Sequence, residues 1–452
     1  MISVDFLSYV KAREEEIIET TKSLLRIPSV LDHYDPKSQT PFGKDIQKAL
    51  KFMLNLAHKD GFITKNIRNY AAHIEHGEGD DLLGILCHLD VVPVGDGWVQ
   101  PPFFPYVLDN KLYARGASDD KGPTMAAYFA LKFLKELDIP LHKRVRIILG
   151  TDEETAWRCM HEYFNTEEMP TIGFAPDASF PLIYGEKGMY TFDVIGSYQN
   201  DALLEFRSGE RYNVVPDYAE CILDIDLKQP FLNFLSYNGF KGEFRDNKYI
   251  VHGKNAHAMS PNLGVNAAFI LAIFLDEHID NPFIKFIKEK LSFDPYAEKL
   301  GINLFDPEMK DFTMNPGVFK YSEKEVLIGI NCRYPKNFDF EATEDKLKKQ
   351  LKKAQLEYRF KANKPLHYVD PNDPLVKTLM QCYQTVTGDY ESKPITIGGG
   401  TYARALEKAV AFGMTMPHRK DVAHQANEHI FIEDLIQGTA IYMHAIYELT
   451  RE

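Results

Sequence analysis

The sequence predicts an α/β domain, with a mixed, largely parallel sheet and helices on both faces, interrupted by an inserted α+β domain. Three observations predict this. Strand-like and helix-like segments alternate as far as about Gly185, and again after Asp370. Between them the texture changes to strand-like alternation with few helices. The side chains best suited to chemistry follow the ends of the apolar strand runs, where open α/β sheets build their sites.

The elements follow in order. Ile46, Leu50, Met53 and Ala57 have helical spacing, and Gly61 stops the run. Leu82 to Cys87 is a short apolar run suited to a buried strand, followed by a loop rich in Pro and Gly. Pro123 opens a helix with Ala126, Phe129, Ala130, Phe133 and Leu137 on its apolar face. Val145–Leu149 and Ile172–Ala175 read as further strands, and this alternation implies parallel pairs. In the middle of the chain Tyr190–Ile195, Glu220–Leu227, Lys248–His252 and Val326–Cys332 read as strands. Val265–Leu275 and Ala342–Leu351 read as helices, and the length admits two similar halves. Ile395–Ile397 then leads into Gly398–Gly399–Gly400, and a last helix starts near Glu433. The expected boundaries are 1–185 and 369–452 for the split outer domain and 186–368 for the insertion.

Composition narrows the function. Hydrophobic residues at 44% and charged residues at 26% fit a soluble globular chain and exclude a mainly disordered or collagen-like one. The net charge of −13 argues against nucleic acid as a partner, because phosphate binding needs clustered Lys and Arg. Cys87, Cys159, Cys221, Cys332 and Cys382 are scattered, odd in number and without C-x-x-C, so reduced thiols in a cytoplasm are expected. Met1–Ser29 has neither a basic nor an apolar signal region, so no signal peptide is expected. The most apolar helical stretch, Ala267–Leu275, is far short of the ~20 residues a membrane span needs.

The candidate site residues lie at strand-to-loop junctions. His88 and Asp90 form H-x-D after the Leu82–Cys87 run; an imidazole there could ligate metal while Asp90 orients its other ring nitrogen. Asp119–Asp120 precedes the Pro123 helix, Glu153–Glu154 follows the Val145–Leu149 strand, and Asp177 follows Ile172–Ala175. His424 lies in a polar loop before the last helix. Taken singly, each is an ordinary cap, turn or loop residue. Together, His88, Asp119, Glu154, Asp177 and His424 form a mixed N/O set suited to Zn²⁺ and tolerable for Mn²⁺ or Co²⁺. Paired Glu residues can divide the work, one ligating and the other moving protons.

Four strings in this set carry a resemblance. They are His88–Leu89–Asp90–Val91–Val92–Pro93–Val94–Gly95, Arg115–Gly116–Ala117–Ser118–Asp119–Asp120–Lys121–Gly122, Gly150–Thr151–Asp152–Glu153–Glu154–Thr155 and His424–Gln425–Ala426–Asn427–Glu428. The chain resembles, nearly end to end, the PepV-type bacterial dipeptidases. These belong to the dinuclear metallopeptidases that include carnosinase, aminoacylase and succinyl-diaminopimelate desuccinylase. The resemblance implies two metal ions, one held by His88, Asp119 and Asp177, the other by Asp119, Glu154 and His424. It implies that Asp90 orients His88, that Glu153 is the general acid/base and that the Asp119–Asp120 peptide is cis. It implies further that the insertion is a lid. In that lid His257 stabilises the oxyanion, and Asn213 and Arg333 hold substrate. The backbone of Gly399, Gly400 and Thr401 offers further donors to a dipeptide.

The resemblance leaves open a same-family amide hydrolase that removes succinyl or acetyl groups from amino acids, and an inactive binding protein of the same fold. The long insertion favours a monomer, since a lid of that length can supply His257 and Arg333 within one chain.

Overall fold

The structure is a computed structural model that describes residues 4–197 and 202–451. The chain divides into two compact units. The first comprises residues 1–185, 368–395 and 401–452; the inserted unit comprises 186–367 together with Thr396–Gly400. The short glycine-containing segment 396–400 thus groups with the insertion, although its sequence lies beyond the expected return to the outer domain at 369.

In the first unit a mixed sheet runs in the order Ile63–Ile67, Ala71–His76, Arg144–Gly150, Leu82–His88, Ile172–Ala175, Ala409–Ala411. The central pairs, from Arg144–Gly150 across to Ala409–Ala411, are parallel. The pairs on the Ile63 side are antiparallel. All seven residues of Leu82–His88 are buried, as a parallel strand covered on both faces requires. The helix Lys121–Glu136 is buried along nearly its whole surface and packs against the C-terminal helix Ile432–Thr450. Its contacts with the strand Leu82–His88 and with the C-terminal helix hold the start of this helix, and with it the chain just ahead at Asp119 and Asp120. One glycine is required by close approach: a Cβ on Gly150, at the end of its strand, would collide with the Tyr402 hydroxyl.

The inserted unit is built on an eight-stranded antiparallel sheet. Its order is Lys241–Arg245, Lys248–His252, Tyr218–Leu223, Leu203–Ser208, Thr313–Ser322, Glu325–Tyr334, Gly188–Gly196, Glu357–Lys364. Among the described residues these strands form one continuous sheet. The helix Ala267–Asp276 shares a second core with it, built around Phe231, Tyr249, Phe274 and Ile328. The strand expected over Glu220–Leu227 ends at Leu223, because Asp226 turns the chain by accepting the Lys228 N–H at 2.9 Å. No helix among the described residues is long and apolar enough to cross a membrane. All five cysteines are buried free thiols.

Candidate metal centre

The parallel strands of the first unit end together and deliver the candidate ligands. His88 is the last residue of its strand and pairs in register with Gly150; Glu153 and Glu154 follow that neighbour. Asp177 comes two residues after the Ile172–Ala175 strand. Asp119 precedes the buried helix Lys121–Glu136, and the peptide joining it to Asp120 is cis.

Asp119 stands between the two imidazoles. Its Oδ1 is 3.0 Å from His88 Nε2 and its Oδ2 is 2.9 Å from His424 Nε2. Asp177 Oδ2 lies 3.6 Å from His88 Nε2, and Glu154 Oε1 lies 3.1 Å from His424 Nε2. The donor atoms of His88, Asp119 and Asp177 fall within 4.8 Å of one another, and so do those of Asp119, Glu154 and His424. His88, Glu153 and Glu154 form a third such group. Two imidazoles and several carboxylates converging at this spacing fit a pair of divalent cations sharing Asp119.

The electrostatics show why such a set needs positive charge. Burial raises the Asp177 carboxyl, and with neighbouring Asp119 pushes it up to about 7. Burial likewise lifts Glu153 well above the usual carboxylate range, with Asp177, Glu154 and Asp90 adding to the effect. Hydrogen bonds to Asp119 and Glu154 raise His424 to about 11. Burial pulls His88 down, but Asp177, Asp119 and Asp90 more than offset it and hold it well above its ordinary value. Divalent cations bound here would relieve this crowding of buried carboxylates.

The surrounding groups orient this set. His88 Nδ1 donates to the backbone carbonyl of Asp90 at 3.0 Å. The Asp90 carboxylate is farther, at 3.6 Å, and it accepts the N–H groups of Glu153 and Glu154, each at 3.1 Å. So Asp90 fixes His88 through its main chain and the Glu153–Glu154 turn through its side chain, rather than aligning the ring by its carboxylate alone. Asp152 is buried and accepts from Arg158 Nε at 2.7 Å. Tyr402 packs edge-on against His88, with ring centroids 5.9 Å apart.

In the inserted unit, Asn213, His257 and Arg333 are held differently. Asn213 is exposed; its carbonyl accepts the Ala258 N–H at 3.0 Å, tying its loop to that of His257. His257 is accessible, and its Nδ1 accepts the Met259 N–H at 3.1 Å. That contact puts the proton of a neutral ring on Nε2 and leaves it free to donate. Partial burial and the Arg333 guanidinium hold His257 below its ordinary pKa. Arg333 is only 4% exposed, with Nε donating to Asn331 Oδ1 at 3.0 Å. Its Nη1 lies 3.4 Å from the Gly398 carbonyl, which associates it with the glycine segment. A Cβ on Gly399 would make only ordinary contacts, at 3.7 Å to Met259 Sδ, so protein neighbours do not demand glycine there. Thr401 belongs to the first unit instead, where its hydroxyl caps the Tyr402–Ala405 turn.

Sequence reasoning quoted Arg115 and Glu428 within motifs but gave them no role. They form a buried ion pair at 2.7 Å, 313 positions apart, and no local pattern announces such a pairing.

Comparison with known proteins shows the family. Residues 84–448 match the description "Peptidase family M20/M25/M40". A Staphylococcus epidermidis protein named "Putative dipeptidase" is 45% identical, over 97% of this chain and 98% of its own length. Human carnosine dipeptidase 1 superposes with a TM-score of 0.57 at 16% identity, covering 98% of each chain. A Staphylococcus aureus tripeptidase gives the same TM-score and identity over 97% of this chain and 99% of its own. These two structural likenesses bear on the fold alone. The chain belongs to peptidase family M20/M25/M40 and is a metallopeptidase.

Proposed function

We propose that the chain hydrolyses the peptide bond of dipeptides with a free N-terminus at a dinuclear metal centre. The observation that carries this reading is Asp119, whose two carboxylate oxygens face one imidazole each and so complete two ligand triads. His88, Asp119 and Asp177 would hold one ion, and Asp119, Glu154 and His424 the other. Zn²⁺ suits the mixed N/O donors best, with Mn²⁺ or Co²⁺ as workable substitutes. Bound there, two such ions supply an activated water and polarise the scissile carbonyl.

The chain's own groups do the rest. Glu153 takes the proton of the attacking water on its carboxylate and returns it to the leaving amine. His257 donates from Nε2 to the developing oxyanion. Arg333 and Asn213 serve the C-terminal carboxylate and the peptide backbone, with the main chain of Gly399, Gly400 and Thr401 adding donors. The monomer is the expected working form. The name of the Staphylococcus epidermidis relative supports the choice of dipeptides over other amides.

The test is a substrate panel for metal-stripped enzyme reloaded with Zn²⁺, Mn²⁺ or Co²⁺. It contains free dipeptides, N-acetylated and amidated dipeptides, a tripeptide, and N-succinyl and N-acetyl amino acids. Free dipeptides should be turned over at least tenfold faster than every other class. Faster release of acyl groups from amino acids would replace this reading with acyl-amino-acid hydrolysis.

A further inference from the structure

Glu428 is completely buried, yet it is an ionisable side chain facing five donors. Its Oε1 accepts the N–H groups of Ser118 at 2.8 Å and Asp119 at 3.1 Å, and the Ser118 hydroxyl at 3.1 Å. Its Oε2 accepts the Gly116 N–H at 3.0 Å and Arg115 Nη1 at 2.7 Å. Arg115 is buried as deeply, at 1% exposure. Its Nη2 reaches the carbonyls of Pro93 at 3.4 Å and Val94 at 3.3 Å, and its Nη1 also approaches the Gln425 carbonyl at 3.4 Å.

One ion pair therefore touches three separate loops. These are the loop that continues from His88 and Asp90, the turn that presents Asp119, and the loop that presents His424. Asn427, next to Glu428, adds a second tie: its Oδ1 accepts the Val99 N–H at 2.9 Å and its Nδ2 donates to the Gly97 carbonyl at 3.1 Å. Glu428 belongs to none of the candidate ligand groups. Burying two charges of this kind gains little stability over apolar side chains of the same size, because desolvation consumes the Coulombic gain. Arg115 Nε is buried without a hydrogen-bond partner, so the pair is not fully satisfied; what its remaining bonds supply is a single relative position for the segments it joins.

We propose that Arg115 and Glu428 are positioning residues of the metal centre: the pair fixes the Asp119 main chain against the His424 loop, so that two ligands from distant parts of the sequence meet one ion. The inference rests on the reading of this site as a dinuclear metal centre, and the experiment separates the two.

The variant is Glu428→Gln, which keeps the shape and one acceptor oxygen but turns an amide NH₂ towards groups of which all but the Ser118 hydroxyl can only donate. Metal-free parent and variant are titrated with Co²⁺ by calorimetry and by the visible Co²⁺ spectrum, with circular dichroism reporting the fold of each metal-free chain. Loss of an outer hydrogen-bond partner of a ligand typically weakens metal binding ~10–100-fold. We expect a loss of that size and an altered Co²⁺ spectrum in a variant that remains folded at the temperature of the titration. Affinity within twofold of the parent with an unchanged spectrum overturns the inference. Where Glu428→Gln does not fold, Arg115→Lys takes its place with the same expected loss, since it keeps the charge but gives up the forked reach to Pro93, Val94 and Gln425. If neither variant folds, the pair is a folding element and the positioning role is overturned. A parent that takes up no Co²⁺ overturns the metal-centre reading and this inference with it. A parent that binds two ions and a folded variant that matches it overturn this inference alone.

Discussion

The first unit holds His88 and Asp90 in the opposite way to that in which the inserted unit holds Asn213 and His257, while His424 in the first unit is exposed and Arg333 in the inserted unit is buried. In the first unit His88 and Asp90 are buried, and each is tied to its neighbours by main-chain hydrogen bonds. In the inserted unit Asn213 and His257 stand accessible, and their loops are joined by main-chain contacts rather than by buried charge. The difference matches the demands of the two tasks. Metal ligands must be set within a few tenths of an ångström before the ion arrives. Groups that meet a substrate need open access and a donor with the right tautomer. The first unit spends buried polar groups on geometry, and the inserted unit leaves the His257 ring accessible while burying Arg333.

The sharpest test of that division is Glu153, which sits among the ligands but moves protons in the proposed reaction. Glu153→Gln keeps the shape and removes the base. Turnover should fall roughly 10²–10⁴-fold, the usual worth of a positioned acid/base group. Calorimetry should still find two bound metal ions, because the Glu154 side chain is untouched. A variant that keeps most of its activity would take the proton role from Glu153. One that loses an ion would make Glu153 a ligand, as its grouping with His88 and Glu154 also permits.

The sequence made the ligand set legible because each member follows a short apolar strand or precedes a strongly apolar helix, so topology alone could gather them. His88, Asp119, Glu154, Asp177 and His424 do converge. What the sequence hid was the second layer. That Asp90 would grip Glu153 and Glu154 by their N–H groups is a matter of carbonyl and amide directions that no residue pattern encodes. The Arg115–Glu428 pair was hidden for a different reason: both residues look like surface charges until the loops close over them. The parallel character of the central strands was legible from the alternation of strand-like and helix-like segments. The antiparallel edge at Ile63–Ile67 and Ala71–His76 was not, because its strands are short and mixed in polarity. Segment 396–400 was misplaced because glycines give no periodicity to read.

His257 breaks the comparison from the other side. His257→Ala removes an accessible donor whose neighbours remain tied by their main chains, so the fold and the metal content should be unchanged. Losing one oxyanion donor typically costs ~10²–10³-fold in kcat. The expected result is a loss of that size in kcat with metal stoichiometry and thermal midpoint preserved. A fall confined to KM would make His257 a substrate-binding group rather than a partner of the transition state.

The smallest effect concerns polar burial in the first unit away from the metal centre. His73 is 3% exposed, on the strand Ala71–His76, with its Nδ1 2.9 Å from the Tyr163 hydroxyl. Burial and the nearby Arg146 lower its pKa to about 4, with Lys65 adding to this and Glu167 and Glu168 opposing it. The folded value lies below the ordinary 6.5, so between about 4 and 6.5 the unfolded chain binds a proton that the folded chain refuses. The contribution of His73 is complete above 6.5 and is lost as the pH falls through that window. By linkage the loss amounts to at most about 3 kcal/mol. His73→Gln removes the titration, so thermal midpoints of metal-free parent and variant should converge as the pH drops from 7.5 to 4, the parent falling more steeply. Comparing the two chains cancels the titration of the ligand cluster, which both share. Parallel curves over that range would mean that His73 takes up its proton within the fold, and that the first unit outside its metal loops is less tightly closed than its burial implies.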